Sequence, residues 1–273
     1  MPTCPMCARD VSVADPTCPH CQSRLPSAVG TRTVELPVAA RGPAVAVVAT
    51  VVIVTLLCSG SVIGLLFPAF LHVRDSSRQS KCKDNLKQIG LALHNYHDAW
   101  GSFPPAYTVD ANGRRLHSWR VLILPYLGHA ALYNSLDLTQ PWDSPANARH
   151  LAAMPREFAC PADAVRGSTL TNYVAVVGER CVFRGAEPVK ISEISDGVSN
   201  TILVGEVAGA NIPWMKPDDL SVELFAAGSK GTGLSSKHYL CVHFLMCDGS
   251  VHHMTDNPAQ PAMAKFTRDG GDW

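Results

Sequence analysis

The pattern of apolar and polar positions changes character twice along the chain. Residues 42–73 contain no Asp, Glu, Lys or Arg, and the run VAVVATVVIVTLLCSGSVIGLLF inside them is apolar all round. About 20 apolar residues cross a bilayer core at 1.5 Å each, so this run predicts one retained transmembrane helix. No small-x-small cleavage site follows it, which argues against a removed signal peptide. Past Pro68 the apolar positions narrow to a stripe: Cys82, Leu86, Ile89, Leu93 and Tyr96 fall at steps of four, three, four and three. That spacing is one face of a helix. Gly101 can cap it, and Pro104 and Pro105 cannot continue it. Span and stripe together predict one long helix over 44–99, kinked where Pro68 permits and packed on a head through the stripe.

The remaining stretch, 100–273, reads as a single α+β head. SWRVLILPYLGHAALYNSL has helical spacing interrupted at Pro125, whereas NYVAVVG, TILVGEVAG and YLCVHFLMCDGSVHHM are β-like. Asp248-Gly249 is the dipeptide of a two-residue type I′ turn, which predicts a hairpin pairing Met246 with Val251 and Phe244 with His253. In that register Val242, Phe244 and Met246 face the core. Cys241, His243, Leu245, Cys247 and His252 take the other face, as packing and solvated side chains. In ISDGVSN, Asp196 and Asn200 could cradle a cation, although a plain Asx-type turn is the expected reading.

Charge adds little. The 23 basic and 23 acidic residues balance, and no basic run or aromatic-interleaved patch suggests a nucleic-acid partner. The ten cysteines add more. Cys4, Cys7, Cys18 and Cys21 form two C-x-x-C knuckles in CPMCARDVSVADPTCPHC, the spacing that closes a tetrahedron of thiolates around zinc. A segment this short has almost no core, so a structural zinc is expected to fold residues 1–26, with His20 exposed. Residues 27–43, rich in Pro, Ala, Gly and Thr, read as a linker. No G-x-G-x-x-G, Walker or G-x-S-x-G motif occurs, and no nucleophile has an identifiable base and orienter.

Longer motifs carry a family resemblance. LFPAFLHVRDSSRQSKCKDNLKQIGLALHNYHDAWGSFPPA, HSWRVLILPYLGHAALYNSLDL, PWDSPAN, FACPAD, ISEISDGVSNTILVGE, TRDGG, and His238 with Asp248-Gly249 nine residues on, together resemble a planctomycete pseudopilin-like family of unknown function. That family ends in a prepilin-type H-x9-DG signature, and the resemblance covers roughly residues 65–271. It implies a type IV pilin or pseudopilin-like fold, with a long N-terminal transmembrane helix packed on an antiparallel β head, here preceded by a small zinc ribbon. The family's cleavage-site glycine and F-T-L-I-E stretch have no counterpart: the glutamate's place falls near Val51. A permanently anchored protein is therefore expected.

The basic residues Arg74, Arg78, Lys81, Lys83 and Lys87 after the run would keep the head inside the cell. The resemblance places it outside, and a four-thiolate zinc site belongs in the reducing cytosol. The expectation is thus a single-pass protein of the inner membrane with a cytoplasmic N terminus and an extracytoplasmic head. Such a head can oxidise, and Cys82 with Cys160 is the expected disulfide. Cys181, Cys241 and Cys247 leave an odd thiol. His238 and Asp248 are expected to fix the two ends of one strand, with no ligand role for His238. The resulting functional expectation is a membrane-anchored, non-enzymatic envelope protein with protein partners at the membrane. A processed minor pseudopilin of a secretion or pilus machine is one alternative, and an envelope hydrolase is another.

Overall fold

The structure, a computed structural model, describes residues 3–12, 16–24, 43–163, 165, 167–223, 233–238, 241–254 and 266–269; the side chains of 43–46 and 57–73 lie outside the description. The chain divides into two compact units, Met1–Val62 and Ile63–Trp273. The linker expected over 27–43 falls almost wholly outside the described residues.

The first unit contains the ribbon and the start of helix α1 (Pro43–Trp100). Two bridges, Thr3 with Asp10 and Thr17 with Arg24, close its two knuckles. The small cluster of Cys4, Val11 and Cys18 is its buried apolar content among the described residues.

The expected transmembrane helix requires correction. Among the described residues no helix is long and apolar enough to cross a membrane. The side chains described in this part of α1, those of 47–56, are all exposed. The remainder of the expected span lies outside the described side chains. A single-pass membrane placement with an extracytoplasmic head is therefore not supported.

In the second unit α1 ends as its sequence dictates. Gly101 takes a left-handed φ of 74°, and its amide bonds the His97 carbonyl at 2.7 Å. Cys82, Leu86, Ile89 and Leu93 are fully buried and form one wall of the main core. A short pair, β1 (Tyr107–Val109) and β2 (Arg115–Ser118), leads into α2 (Trp119–Leu122). Pro125 then opens a 3-10 turn over Leu124–Leu127, and Gly128 ends it with a left-handed φ of 83°. α3 (Ala130–Ser135) and α4 (Pro145–Ala148) follow, the second capped by the Ser144 side chain.

The sheet comes from β4 (Tyr173–Val177), β5 (Ile202–Glu206), β7 (Leu220–Ser221), β8 (Val242–Met246) and β9 (Val251–Met254), in the order β7-β4-β5-β8-β9. Pairing is antiparallel except between β4 and β7. A separate two-stranded piece joins β3 (Leu170–Thr171) to β6 (Ile212–Pro213). The central strands are apolar almost throughout because both sheet faces are covered. Tyr173, Ala175, Val204 and Leu245 face α1 and the main core, while Val174, Val176, Ile202, Phe244 and Met246 pack with Phe266 on the other side. A bulge between Ile202 and Val204 lets Leu203 and Val204 both enter the main core.

The hairpin forms one residue away from the expected register. Leu245 pairs with Val251, Phe244 with His252, and His243 with His253. The loop is Cys247-Asp248-Gly249, closed by Met246 N–H to the Ser250 carbonyl at 2.9 Å. Gly249 alone in it has a positive φ, 83°. This is a three-residue loop ending in a left-handed glycine, not a type I′ turn. Both faces of β8 are covered: Phe244 and Met246 pack with Phe266, while Leu245 and Cys247 sit in the main core with α1. The helix approaches so closely that a Cβ on Gly90 would lie 2.8 Å from Leu245 Cδ1.

Candidate metal centres

In the ribbon both C-x-x-C pairs are turned by the same local device. The chain reverses just after each pair, at Ala8 and at Gln22, which are left-handed with φ 54° and 55°. Ala8 N–H bonds the Cys4 carbonyl and Gln22 N–H the Cys18 carbonyl, each at 2.9 Å. These reversals gather the four sulfurs within 4.8 Å of one another. Cys4 and Cys21 are 3.7 Å apart, as are Cys7 and Cys18. The Ser23 hydroxyl, 3.5 Å from Cys4 Sγ and 3.0 Å from Cys21 Sγ, draws both thiols down, Cys4 to about 6. The Arg9 amide favours the Cys7 thiolate, yet desolvation and the three neighbouring thiols push that group up to about 12. Four sulfurs competing for negative charge form a donor set that suits zinc. His20 is exposed.

A second set lies in the head, where the sequence spacing announces none. Cys82, Cys160, Glu206 and His238 place one ligand atom each within 4.8 Å of the others, and all four residues are buried. His238 Nε2 is 3.0 Å from Cys82 Sγ, 3.2 Å from Cys160 Sγ and 3.8 Å from Glu206 Oε1. Four separate elements supply these groups. The apolar stripe of α1 points Cys82 inward, and Tyr173 Oη bonds the Cys82 carbonyl at 3.4 Å. Cys160 follows the 3-10 turn Arg156–Phe158, its amide held by Asn172 Oδ1 at 2.9 Å. Asn85 of α1 donates to the Ala159 carbonyl at 3.0 Å, tying this loop to the helix. Glu206 ends β5, and its carbonyl accepts the Ser235 amide at 2.9 Å, which brings the approach to His238 alongside.

Around this set stands a further layer. His238 Nδ1 is 3.5 Å from Asp75 Oδ1, and His243 Nδ1 is 3.5 Å from Glu206 Oε2. Hydrogen bonding to Cys82, then burial, pushes the Cys160 thiol far up. Against burial, the Cys160 thiol and the Glu206 and Asp75 carboxylates draw His238 upward.

The expected disulfide partners are thus side by side, as free thiols. His238 sits before β8, with two thiols and a carboxylate around its Nε2. Asp248 lies in the turn after β8, where Oδ1 accepts the Ser250 amide at 2.8 Å. Cys241 Sγ lies 4.0 Å from His243 Nε2. In ISDGVSN, Asn200 Nδ2 donates to the Asp196 carbonyl at 3.1 Å. The sequence reading also misses a buried cation: Arg120 Nη2 bonds Asp219 Oδ1 at 2.6 Å inside the core.

The model of a family described as "Protein of unknown function (DUF1559)" matches residues 72–179. No curated protein and no solved structure matches the chain.

Proposed function

We propose that this chain is a non-enzymatic protein with a structural or protein-interaction role, its head of pseudopilin type and its N-terminal ribbon folded by zinc on Cys4, Cys7, Cys18 and Cys21. The observation that carries the reading is the gathering of those four sulfurs by two matched knuckles. Four protein ligands leave no open position for a substrate or an activated water, which is the pattern of a structural site. The rest of the ribbon is almost all surface, so its work is to present that surface to a protein partner.

The head's chemistry supports the same conclusion. Its thiol and imidazole superficially resemble a cysteine nucleophile and its base. Yet Cys82 and Cys160 are each 0 % exposed, and the Cys160 thiol is pushed up rather than down. A reactive cysteine needs the reverse of both. The open cleft on this unit, bordered by Tyr107, Arg184, Glu187 and Glu223, shares no residue with the buried set.

The test is a crosslinking pull-down with the full chain, comparing the native sequence with Cys4→Ser/Cys18→Ser. The variant should lose the recovered partners while the head keeps its thermal transition. Equal recovery of the same partners by both proteins would overturn the reading.

A further inference from the structure

We infer that Cys82, Cys160, Glu206 and His238 form a second metal centre, a closed structural zinc site inside the head. It stands apart from the ribbon and does not depend on the reading of the ribbon.

Geometry is the first argument. A tetrahedral zinc with Zn–S near 2.3 Å and Zn–N or Zn–O near 2.0 Å sets its ligands about 3.3–3.8 Å from one another. The separations from His238 Nε2 to the two sulfurs, 3.0 and 3.2 Å, are up to a few tenths of an ångström shorter than that range, and the 3.8 Å to the carboxylate lies at its upper end, so an ion would need to push the two sulfurs only slightly outward. Four groups that far apart in sequence rarely converge so tightly without a common partner.

Charge is the second argument. Glu206 is 1 % exposed, and among the described residues its ion-pair partners are His238 and His243. A carboxylate taken that far from water is costly unless a cation compensates it. Two thiolates, one carboxylate and a neutral imidazole around a divalent ion reproduce the charge balance of a three-thiolate, one-histidine zinc site. The donor set also selects the metal: two soft sulfurs with an imidazole favour zinc over magnesium or calcium, which take oxygen.

The third argument is the surrounding layer. Metal-bound histidines usually face a carboxylate or carbonyl with their other nitrogen, which fixes the tautomer. On that side of His238 the Asp75 carboxylate stands 3.5 Å from Nδ1, at ion-pair distance and without a hydrogen bond, so a small approach of Asp75 would orient the ring and leave Nε2 for the metal. His243 does the equivalent for the second oxygen of Glu206. The centre would tie α1, the FACPAD loop, the end of β5 and the segment before β8 at one point, as a disulfide between Cys82 and Cys160 could not.

Zinc stoichiometry by native mass spectrometry tests this on the full chain purified under reducing conditions. The native sequence should hold two zinc ions, and Cys4→Ser/Cys7→Ser/Cys18→Ser/Cys21→Ser should hold one. Loaded with Co2+ instead, that four-residue variant should show the visible bands of a tetrahedral ion, with a thiolate charge-transfer band about half that of a four-thiolate site, in proportion to its two sulfurs. Asp75→Asn leaves all four ligands in place and is only partly buried, so it should fold and bind zinc about 10–100-fold more weakly. A four-residue variant that carries no zinc and gives no tetrahedral cobalt spectrum would overturn the inference. So would peptide mapping that finds Cys82 and Cys160 joined in the zinc-replete protein. A ribbon that fails while this centre stands would give one zinc in both proteins.

Discussion

The ribbon and the buried set in the head gather four ligands each, but by opposite means. In the ribbon the sulfurs come from two copies of one turn, and each copy places its pair by backbone reversal alone, at Ala8 and Gln22. Hardly any apolar side chain helps. In the head, His238 meets Cys82 across 156 positions, and only the packing of α1 on the sheet puts them 3.0 Å apart. One set is made by local conformation, and in the reading proposed above zinc is what folds it. The other is made by topology, inside a core that has its own reasons to form.

The largest expected effect breaks the two apart. If the ribbon holds zinc as proposed, a strong chelator at neutral pH should unfold residues 1–26, because a zinc binding free energy on the order of 10 kcal/mol would also be the segment's folding free energy. The head should persist on its apolar core. Limited proteolysis reads the difference: cleavage in the ribbon with the region 74–223 protected is expected, and a ribbon equally resistant with and without chelator would contradict it.

The second effect asks what the head rests on without a metal. Arg120 is fully buried, donating to Asp219, Ser118 and the Tyr173 carbonyl, while the Trp119 indole and Ala175 amide also donate to Asp219. Burial pushes the Asp219 carboxyl up despite Arg120 beside it. Arg120→Met strands that carboxylate and should cost about 3–5 kcal/mol. The double change Arg120→Met/Asp219→Leu should recover most of the loss, as a shift of the urea midpoint at constant slope. Ribbon zinc content should not move.

The same contrast separates what is legible in the sequence from what is not. The knuckles, the Gly101 cap, the stripe from Cys82 to Leu93 and the strands at 173, 202 and 242 are local patterns, and each forms where its residues point. The buried centre is not local. Cys82, Cys160, Glu206 and His238 each lie inside a motif that carries the family resemblance, yet no spacing within any one motif announces a ligand set. Sequence reasoning pairs the two cysteines with each other because a disulfide is the one long-range bond it habitually suggests. The apolar run before Pro68 is a local pattern too: it forms helix as its residues suggest, but among the described residues no helix is long and apolar enough to cross a membrane.

A third, smaller effect probes the joint between helix and sheet that topology alone creates. Gly90 sits where a Cβ would meet Leu245 Cδ1 at 2.8 Å. Gly90→Val should overpack this contact and cost about 1–3 kcal/mol. Because α1 carries Cys82 two turns earlier, the same variant should release the head's zinc more readily to a chelator. The ribbon's zinc should leave at the native rate. Equal acceleration at both sites would mean that Gly90 acts through something other than the α1 to β8 contact.

The smallest effect returns to a local feature inside the head. In the loop Cys247-Asp248-Gly249 only Gly249 is left-handed, with φ 83°, and a Cβ there would meet nothing closer than His94 at 3.5 Å. The cost of Gly249→Val is therefore conformational rather than steric, about 1–2 kcal/mol for holding a branched residue in that region. Asp248 carries no such strain. Its contribution is the bond from the Ser250 amide to Oδ1, 2.8 Å long and on the surface, so Asp248→Ala should cost about 1 kcal/mol or less. A type I′ turn would reverse the emphasis, since both central residues would then need positive φ and an alanine at 248 would be strained too. Urea midpoints of the two single variants decide between the loops: the observed loop requires Gly249→Val to be the larger loss by a clear margin, and comparable losses would favour the turn that the dipeptide alone suggests.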